Sequence, residues 1–240
     1  MIQFATLLTP EQVETVHEAS LTILEDIGLQ VYSPNARAVF SKHGCQVDME
    51  TQMVRFPRKV VEEFRLAMPP KFTFHGRDPK FDRTLPDDRP VIVTGSSAPN
   101  IIDPVTRKER RSTSADIARI AHLINELPGY DVFSVSVLAD DAPPGHFTLS
   151  RVYPALKNCL KPIRSTTVDM DDAQKILHLA YTLAGSESAY RERPFLTHHF
   201  CPVISPLTMD VHSTEMVIFF AAQKLPIYAS TVPNAGLTSP

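Results

Sequence analysis

The sequence predicts an α/β fold: a (β/α)8 TIM-type barrel, incomplete within these 240 residues and preceded by a small N-terminal α+β layer. Short apolar segments begin near residues 91, 131, 162, 195 and 226, about one every 31 to 40 residues, the period of a strand–helix repeat. Helix-spaced apolar residues separate the segments, and polar, often proline-rich loops follow them. That is the pattern of buried parallel strands delivering loops to one end of a sheet. The last segment is followed by Ser239-Pro240 with no helix to cover it. A parallel sheet needs covered faces, so the expectation is the first part of a longer protein, inactive and poorly soluble by itself because unpaired strands leave open edges. An open five-strand sheet is the alternative. The boundaries expected are 1–89 for the α+β region and 90–240 for the barrel portion.

Each element has a local reason. Thr9-Pro10-Glu11-Gln12 starts a helix, with threonine as N-cap and proline in the first turn, and Gly28 stops it. Val13, Val16, Ala19, Leu21, Ile23, Leu24 and Ile27 recur along it at helical spacing. A second helix follows Ser33-Pro34 and ends at His43-Gly44. Residues 47–56 alternate weakly as a short strand pair, Pro57 opens a third helix, and 71–75 is another strand. Residues 91–94 form the first strand of the repeat, and 101–111 a hairpin excursion around Asp103-Pro104. A helix capped near Ser112-Thr113-Ser114 closes at Pro128-Gly129, and a strand over 131–138 follows. A helix through Leu156, a strand to Thr167, and a helix from Asp169 to Ala184-Gly185 continue the rhythm. Strand 195–200, helix 210–223 and strand 226–232 complete a βαβ unit.

With 43% hydrophobic and 21% charged residues the chain is globular and long enough to bury a core. A net charge of −3 provides no basic stripe for nucleic acid. No apolar run approaches a membrane span, and Met1-Ile2-Gln3-Phe4 is not a signal peptide start. Cys45, Cys159 and Cys201 have neither disulfide-framework nor zinc-site spacing, so the cytoplasm is the expected compartment.

In parallel α/β folds chemistry sits on loops leaving the carboxyl ends of strands. The loops after 195–200 and 226–232 are therefore the first candidates. His198 and His199 are adjacent, but neighbouring strand residues point to opposite faces and cannot share one ion. No bound metal is predicted. Asp140 and Asp141 follow a strand directly, as rim carboxylates or as a solvated turn before Pro143-Pro144. Cys201 lies at a strand end without a base partner in the sequence, and a packed thiol is the simpler reading. Neither dinucleotide nor phosphate-loop glycine spacing occurs around Gly95-Ser96-Ser97.

Several stretches, in order, resemble the trimethylamine methyltransferase family, the corrinoid-dependent group that includes glycine betaine methyltransferases. They are Ile23-Leu24-Glu25-Asp26-Ile27-Gly28, His43-Gly44-Cys45, Val54-Arg55-Phe56-Pro57, Phe72-Thr73-Phe74-His75-Gly76-Arg77-Asp78-Pro79, Ile102-Asp103-Pro104, Lys161-Pro162, Val203-Ile204-Ser205-Pro206-Leu207 and Asn234-Ala235-Gly236-Leu237. The resemblance implies a TIM barrel behind an N-terminal α+β layer, and a sequence continuing well beyond residue 240. It implies methyl transfer from a tertiary or quaternary amine to the cobalt of a corrinoid carried by a partner protein. In the trimethylamine branch a pyrrolysine lies in the later part; the betaine branch lacks it. Strand-end position marks His199, Ser205, Asn234, Asp140 and Tyr228 as candidate substrate-binding residues, and no catalytic group is assigned. The partners expected are a small methylated amine and the corrinoid protein, and a homo-oligomer is compatible with the sequence. Alternatives are a quaternary-amine binding protein without catalysis, and a metal-dependent barrel hydrolase.

Overall fold

The computed structural model describes residues 7–231. In chain order the first elements are α1 (Pro10–Thr22), β1 (Leu29–Val31), α2 (Pro34–Lys42), β2 (Gln46–Val47), β3 (Met53–Arg55) and α3 (Arg58–Leu66). Next come β4 (Phe72–Phe74), β5 (Arg83–Leu85), β6 (Asn100–Ile102), β7 (Glu109–Arg111), α4 (Ser114–Glu126), β8 (Phe133–Ser134) and α5 (Phe147–Asn158). The rest are β9 (Ile163–Ser165), α6 (Met170–Ala184), α7 (Glu187–Glu192), β10 (Leu196–Phe200), β11 (Val203–Ile204), β12 (Thr208–Met209), α8 (Val211–Ala222) and β13 (Ile227–Ala229). The chain divides into two compact units.

The first unit holds the described residues up to Pro69 together with Cys201–Glu215. Its sheet runs β11-β12-β1-β3-β2, with only the β1–β12 pair parallel. Thr9 and Gln12 form a reciprocal capping box at the start of α1, as the sequence predicts. The stripe on α1 is less buried than its spacing implies: Leu21 is buried, but Val13 and Val16 are exposed. Ser33 caps α2 by accepting from Ala36 N at 2.9 Å, and its hydroxyl donates to Glu215 Oε1 at 2.5 Å. Buried Arg37 donates to the carbonyls of Val31 and Tyr32 at 2.6 and 3.0 Å, which fixes the turn from β1 into α2.

Gly28 makes the turn from the first helix into β1 with φ +81°. A Cβ built there would meet the Val54 carbonyl oxygen at 2.2 Å, a backbone atom of the paired strand. Gly28→Ala is therefore expected to destabilise the protein by about 2 kcal/mol, from left-handed strain plus displacement of the β1–β3 pairing. A denaturant midpoint equal to that of the natural chain would contradict this.

The second unit holds Pro70–Phe200 and Met216–Ser230. Two antiparallel hairpins, β4–β5 and β6–β7, precede its main sheet. Asp103 organises the second hairpin by accepting from the amides of Val105 and Thr106 at 3.0 and 2.9 Å. The main sheet runs β13-β10-β9-β8, all parallel. Residues 91–98 add to its edge through parallel bridges from Val93 to Val132 and from Ala98 to Val137. The five segments expected from the sequence thus lie side by side in sequence order and point the same way.

One face of this sheet is covered by helices. Phe133, Val135, Val137, Ile163, Leu196 and Phe200 bury against residues of α4, α5, α6, α7 and α8, such as Ile117, Val152, Ile176, Tyr190 and Phe220. Burying one such side chain stabilises the fold by roughly 1.5–3 kcal/mol. Lys161 closes the α4 end by donating from Nζ to the carbonyls of Ile124, Leu127 and Tyr130 at 2.8, 2.5 and 2.8 Å. This is a mixed α/β architecture with a parallel sheet in sequential order and its helices on one side.

Candidate functional site

The strand period places alternate residues of this sheet on the face opposite the helices. Leu196, His198 and Phe200 point to the helices: His198 is 1% exposed and its ring stacks on Phe220 at 3.7 Å. Thr197 and His199 therefore point the other way. The registers Thr197↔Arg164 and Ser134↔Arg164 put Arg164 and Ser134 on that same face, and His199↔Tyr228 adds Tyr228. The face is polar along its length, unlike the helix-covered side.

At the carboxyl ends of β10 and β13, His199 Nε2 and Ser230 Oγ share a hydrogen bond of 2.6 Å. The His199 and Tyr228 rings lie 5.3 Å apart, tilted by 47°. Arg164 crosses this face: its Nε donates to Ser134 Oγ at 3.1 Å, and its guanidinium carbon stands 4.7 Å from the Tyr228 ring centroid. Burial lowers the pKa of His199, and the positive charge of Arg164 lowers it further. His199 is therefore neutral near pH 7 and can donate through one ring nitrogen and accept through the other. Tyr228, 40% exposed, offers an aromatic face to a ligand. Together these side chains can hold a molecule with an apolar cation or with a polar end.

The other candidates lie elsewhere. Asp140 forms an ion pair with Arg111 at 3.1 Å. Asp141 accepts from the amide and hydroxyl of Ser114 at 2.7 Å each, at the start of α4. These two carboxylates hold the loop after β8 in place. Ser205 is exposed in the turn joining β11 to β12, before a cis bond to Pro206, and belongs to the first unit. Asn234 falls outside the described residues. Among the described residues no three His, Cys, Asp or Glu side chains gather to hold a metal ion, and no helix is long and apolar enough to cross a membrane.

Arg164 and Ser134 were not singled out from the sequence. A usable signal existed: Arg164 sits between Ile163 and Ser165 in a short buried strand, where a charged residue has to face away from the helices.

A second concavity is lined by Gly76, Arg77, Leu160, Leu183, Arg193 and Phe195. Leu160 and Phe195 precede β9 and β10, so this cleft is at the amino ends of the strands, where structural rather than chemical roles are the rule. Arg77 there donates to the Cys159 carbonyl at 3.4 Å and to that of Leu156, and Arg193 donates to Asp82 at 2.9 Å.

A family model described as trimethylamine methyltransferase (MTTB) matches residues 1–240. The trimethylamine methyltransferase MttB of Desulfitobacterium hafniense (strain DSM 10664 / DCB-2) is 29% identical over 229 residues, covering 95% of this chain and 46% of that protein. MttB of Methanosarcina barkeri (strain Fusaro / DSM 804) is 29% identical over 247 residues, 98% of this chain and 48% of the relative. The glycine betaine methyltransferase of Desulfitobacterium hafniense (strain Y51) is 27% identical over 236 residues, with shares of 98% and 48%. The chain spans about half the length of these curated relatives.

Proposed function

The chain belongs to the trimethylamine methyltransferase family, and we propose that its protein moves a methyl group from a tertiary or quaternary amine, of trimethylamine or betaine type, to the cobalt of a corrinoid protein. The observation that carries this beyond family membership is the polar face at the carboxyl ends of the parallel strands, where Tyr228, His199 and Arg164 converge. In the same reading the five parallel segments are strands of a (β/α)8 barrel. A doubly wound sheet reverses its strand order and takes helices on both faces. Sequential order with one-sided helices supports the barrel reading. The cytoplasm is the proposed compartment.

When docked, a corrinoid carried by the partner would supply a strongly nucleophilic cobalt as methyl acceptor. This chain holds and orients the amine. A quaternary nitrogen has no lone pair and no N–H, so it is bound through its methyl surface by an aromatic face such as Tyr228. When the N–CH₃ bond breaks, its electron pair stays on nitrogen and the positive charge of the amine disappears. An uncharged His199 and a cationic Arg164 do not stabilise that charge. No described carboxylate faces the nitrogen, so the site does not favour the charged ground state over the transition state, in which the charge is fading.

Mixing the intact protein with reduced corrinoid protein and a panel of methylamines and betaines is expected to convert the cobalt absorbance to that of the methylated form with at least one of them. No change with any would overturn the proposal. Calorimetric binding of an amine without demethylation would favour the binding-protein reading instead. Tyr228→Ala is expected to weaken binding of the preferred amine about 5- to 30-fold, through loss of the cation–π face. An unchanged Kd would remove Tyr228 from the site.

A further inference from the structure

Arg164 is a cation placed where the fold supplies no counter-ion. Arg83, Arg110 and Arg193 of the second unit are matched to acids, Arg83 to Asp87 and Asp131, Arg110 to Asp103 and Asp116, Arg193 to Asp82. Arg77 and the buried Arg151 have no acid but spend terminal guanidinium nitrogens on backbone carbonyls and, for Arg151, on Ser97 Oγ. Arg164 is half-buried in the middle of β9 and forms no salt bridge with any described carboxylate. Its single hydrogen bond, from Nε to Ser134 Oγ, engages one edge of the guanidinium. Tyr228 lies against the plane at 4.7 Å. The side chain is thus held at its Nε edge and flanked by an aromatic ring, while the two terminal nitrogens make no hydrogen bond within the described residues.

Ser134, Thr197, His199 and Tyr228 surround Arg164 on this face, and none of them is acidic. Asp140 and Asp141, on the loop after β8, are committed to Arg111 and Ser114, and Asp169, after β9, caps α6 by accepting from Asp172 N. A planar fork with two free donors is the partner that a carboxylate meets bidentately. What sets Arg164 apart is that both terminal nitrogens remain available on the polar face, where an anionic ligand can complete them.

We propose that Arg164 is the carboxylate anchor of the substrate site, so that the site selects amines carrying a carboxylate, the betaine type, over simple methylamines. This rests on the methylated-amine reading above. The guanidinium fork takes the carboxylate, and the methylated nitrogen lies toward the strand ends, beside Tyr228 and His199. Serine at position 134 sets the tilt of the guanidinium through its contact with Nε and is a positioning residue.

Calorimetry on the intact protein tests this with three probes. Glycine betaine carries both groups. 3,3-Dimethylbutanoate has the same shape with carbon in place of nitrogen, hence a carboxylate and no cation. Choline keeps the trimethylammonium and replaces the carboxylate by a hydroxyl. The expected result is that Arg164→Gln weakens betaine and dimethylbutanoate about tenfold or more, the effect of losing hydrogen bonds to a charged group, and leaves choline within about twofold. Arg164→Lys, which keeps the charge and loses the fork, is expected to fall between.

Unchanged betaine affinity in Arg164→Gln overturns the inference, and so does an equal loss for choline, which would mark a structural role. If Arg164→Gln does not fold, Arg164→Lys decides, and betaine binding unaltered in it overturns the anchor. A natural protein that binds choline but neither carboxylate overturns the anchor and leaves the methylated-amine reading standing. One that binds dimethylbutanoate alone, with loss in Arg164→Gln, keeps the anchor and overturns that reading. Binding of none of the three overturns both.

Discussion

Asp131→Ala is expected to lower the unfolding free energy by about 3–5 kcal/mol, the cost of leaving a buried charge without its partner. Asp131 is buried at the entry to β8 and accepts from four donors. Arg83 Nη1 and Arg89 Nη2 reach Oδ1 at 2.7 and 3.0 Å, while Ile92 N and Arg89 Nη1 reach Oδ2 at 2.9 and 3.4 Å. The carboxylate therefore ties the β5 hairpin and the segment at 91–98 to the start of the parallel sheet. Removing it strands the buried Arg83 guanidinium with Asp87 alone, whose side chain is 37% exposed. Replacing both partners, as in Arg83→Met with Asp131→Leu, is expected to recover much of the loss, because the charges left behind, Asp87 and Arg89, have side chains 37% and 56% exposed and are solvated. Denaturant unfolding of the single and double variants reads both effects. A loss under about 1 kcal/mol for Asp131→Ala would show the network to be solvated rather than structural.

The strand rhythm was legible because buried parallel strands are short apolar runs and the helices between them carry their own period. The segments near 131, 162, 195 and 226 appear as β8, β9, β10 and β13, in register and parallel. The segment at 91–94 was over-read: only Val93 there makes a bridge, and Pro90 before it has no N–H to extend the ladder. Opposite facing of His198 and His199 followed from the pleat alone, and the structure shows it. What escaped was non-local. Residues 201–209 read as a loop, yet β12 pairs in parallel with β1 across more than half the chain, through Gln30↔Thr208 and Val31↔Met209. Two-residue strands interrupted by prolines have no periodicity to detect. The apolar spacing of α1 announced a helix, but spacing cannot say what covers the stripe, and Val13 and Val16 are exposed. At the candidate site, strand ends pointed to His199 and Tyr228. Arg164 reaches them from a lower position on β9 by the length of its side chain, which strand-end reasoning does not count.

His198 is expected to make the protein lose stability on acidification in a way that one substitution removes. Its ring is buried against Phe220 and Nε2 has no hydrogen-bond partner, so the interior penalises the charged form and the pKa falls to about 3. In the unfolded chain the imidazole takes up a proton near pH 6.5. The folded state binds fewer protons than the unfolded state between these values, so stability declines as pH drops below about 6.5 and the contribution levels off near the folded value. From pH 7 to pH 4 the loss from this one group is about 3 kcal/mol. Carboxylates titrate over part of the same range, so the informative quantity is the difference from His198→Leu, which fills a similar volume and cannot take up a proton. Near pH 7 the two proteins are expected to unfold at similar denaturant concentrations, and at pH 4 the leucine variant is expected to be the more stable by that amount. His199, on the opposite face, serves as the control: its neighbours leave it partly solvated, and His199→Gln is expected to alter the acid slope far less. Parallel pH profiles for the natural chain and His198→Leu would mean that His198 is hydrated in the folded protein, and the dry contact between β10 and α8 would have to be abandoned.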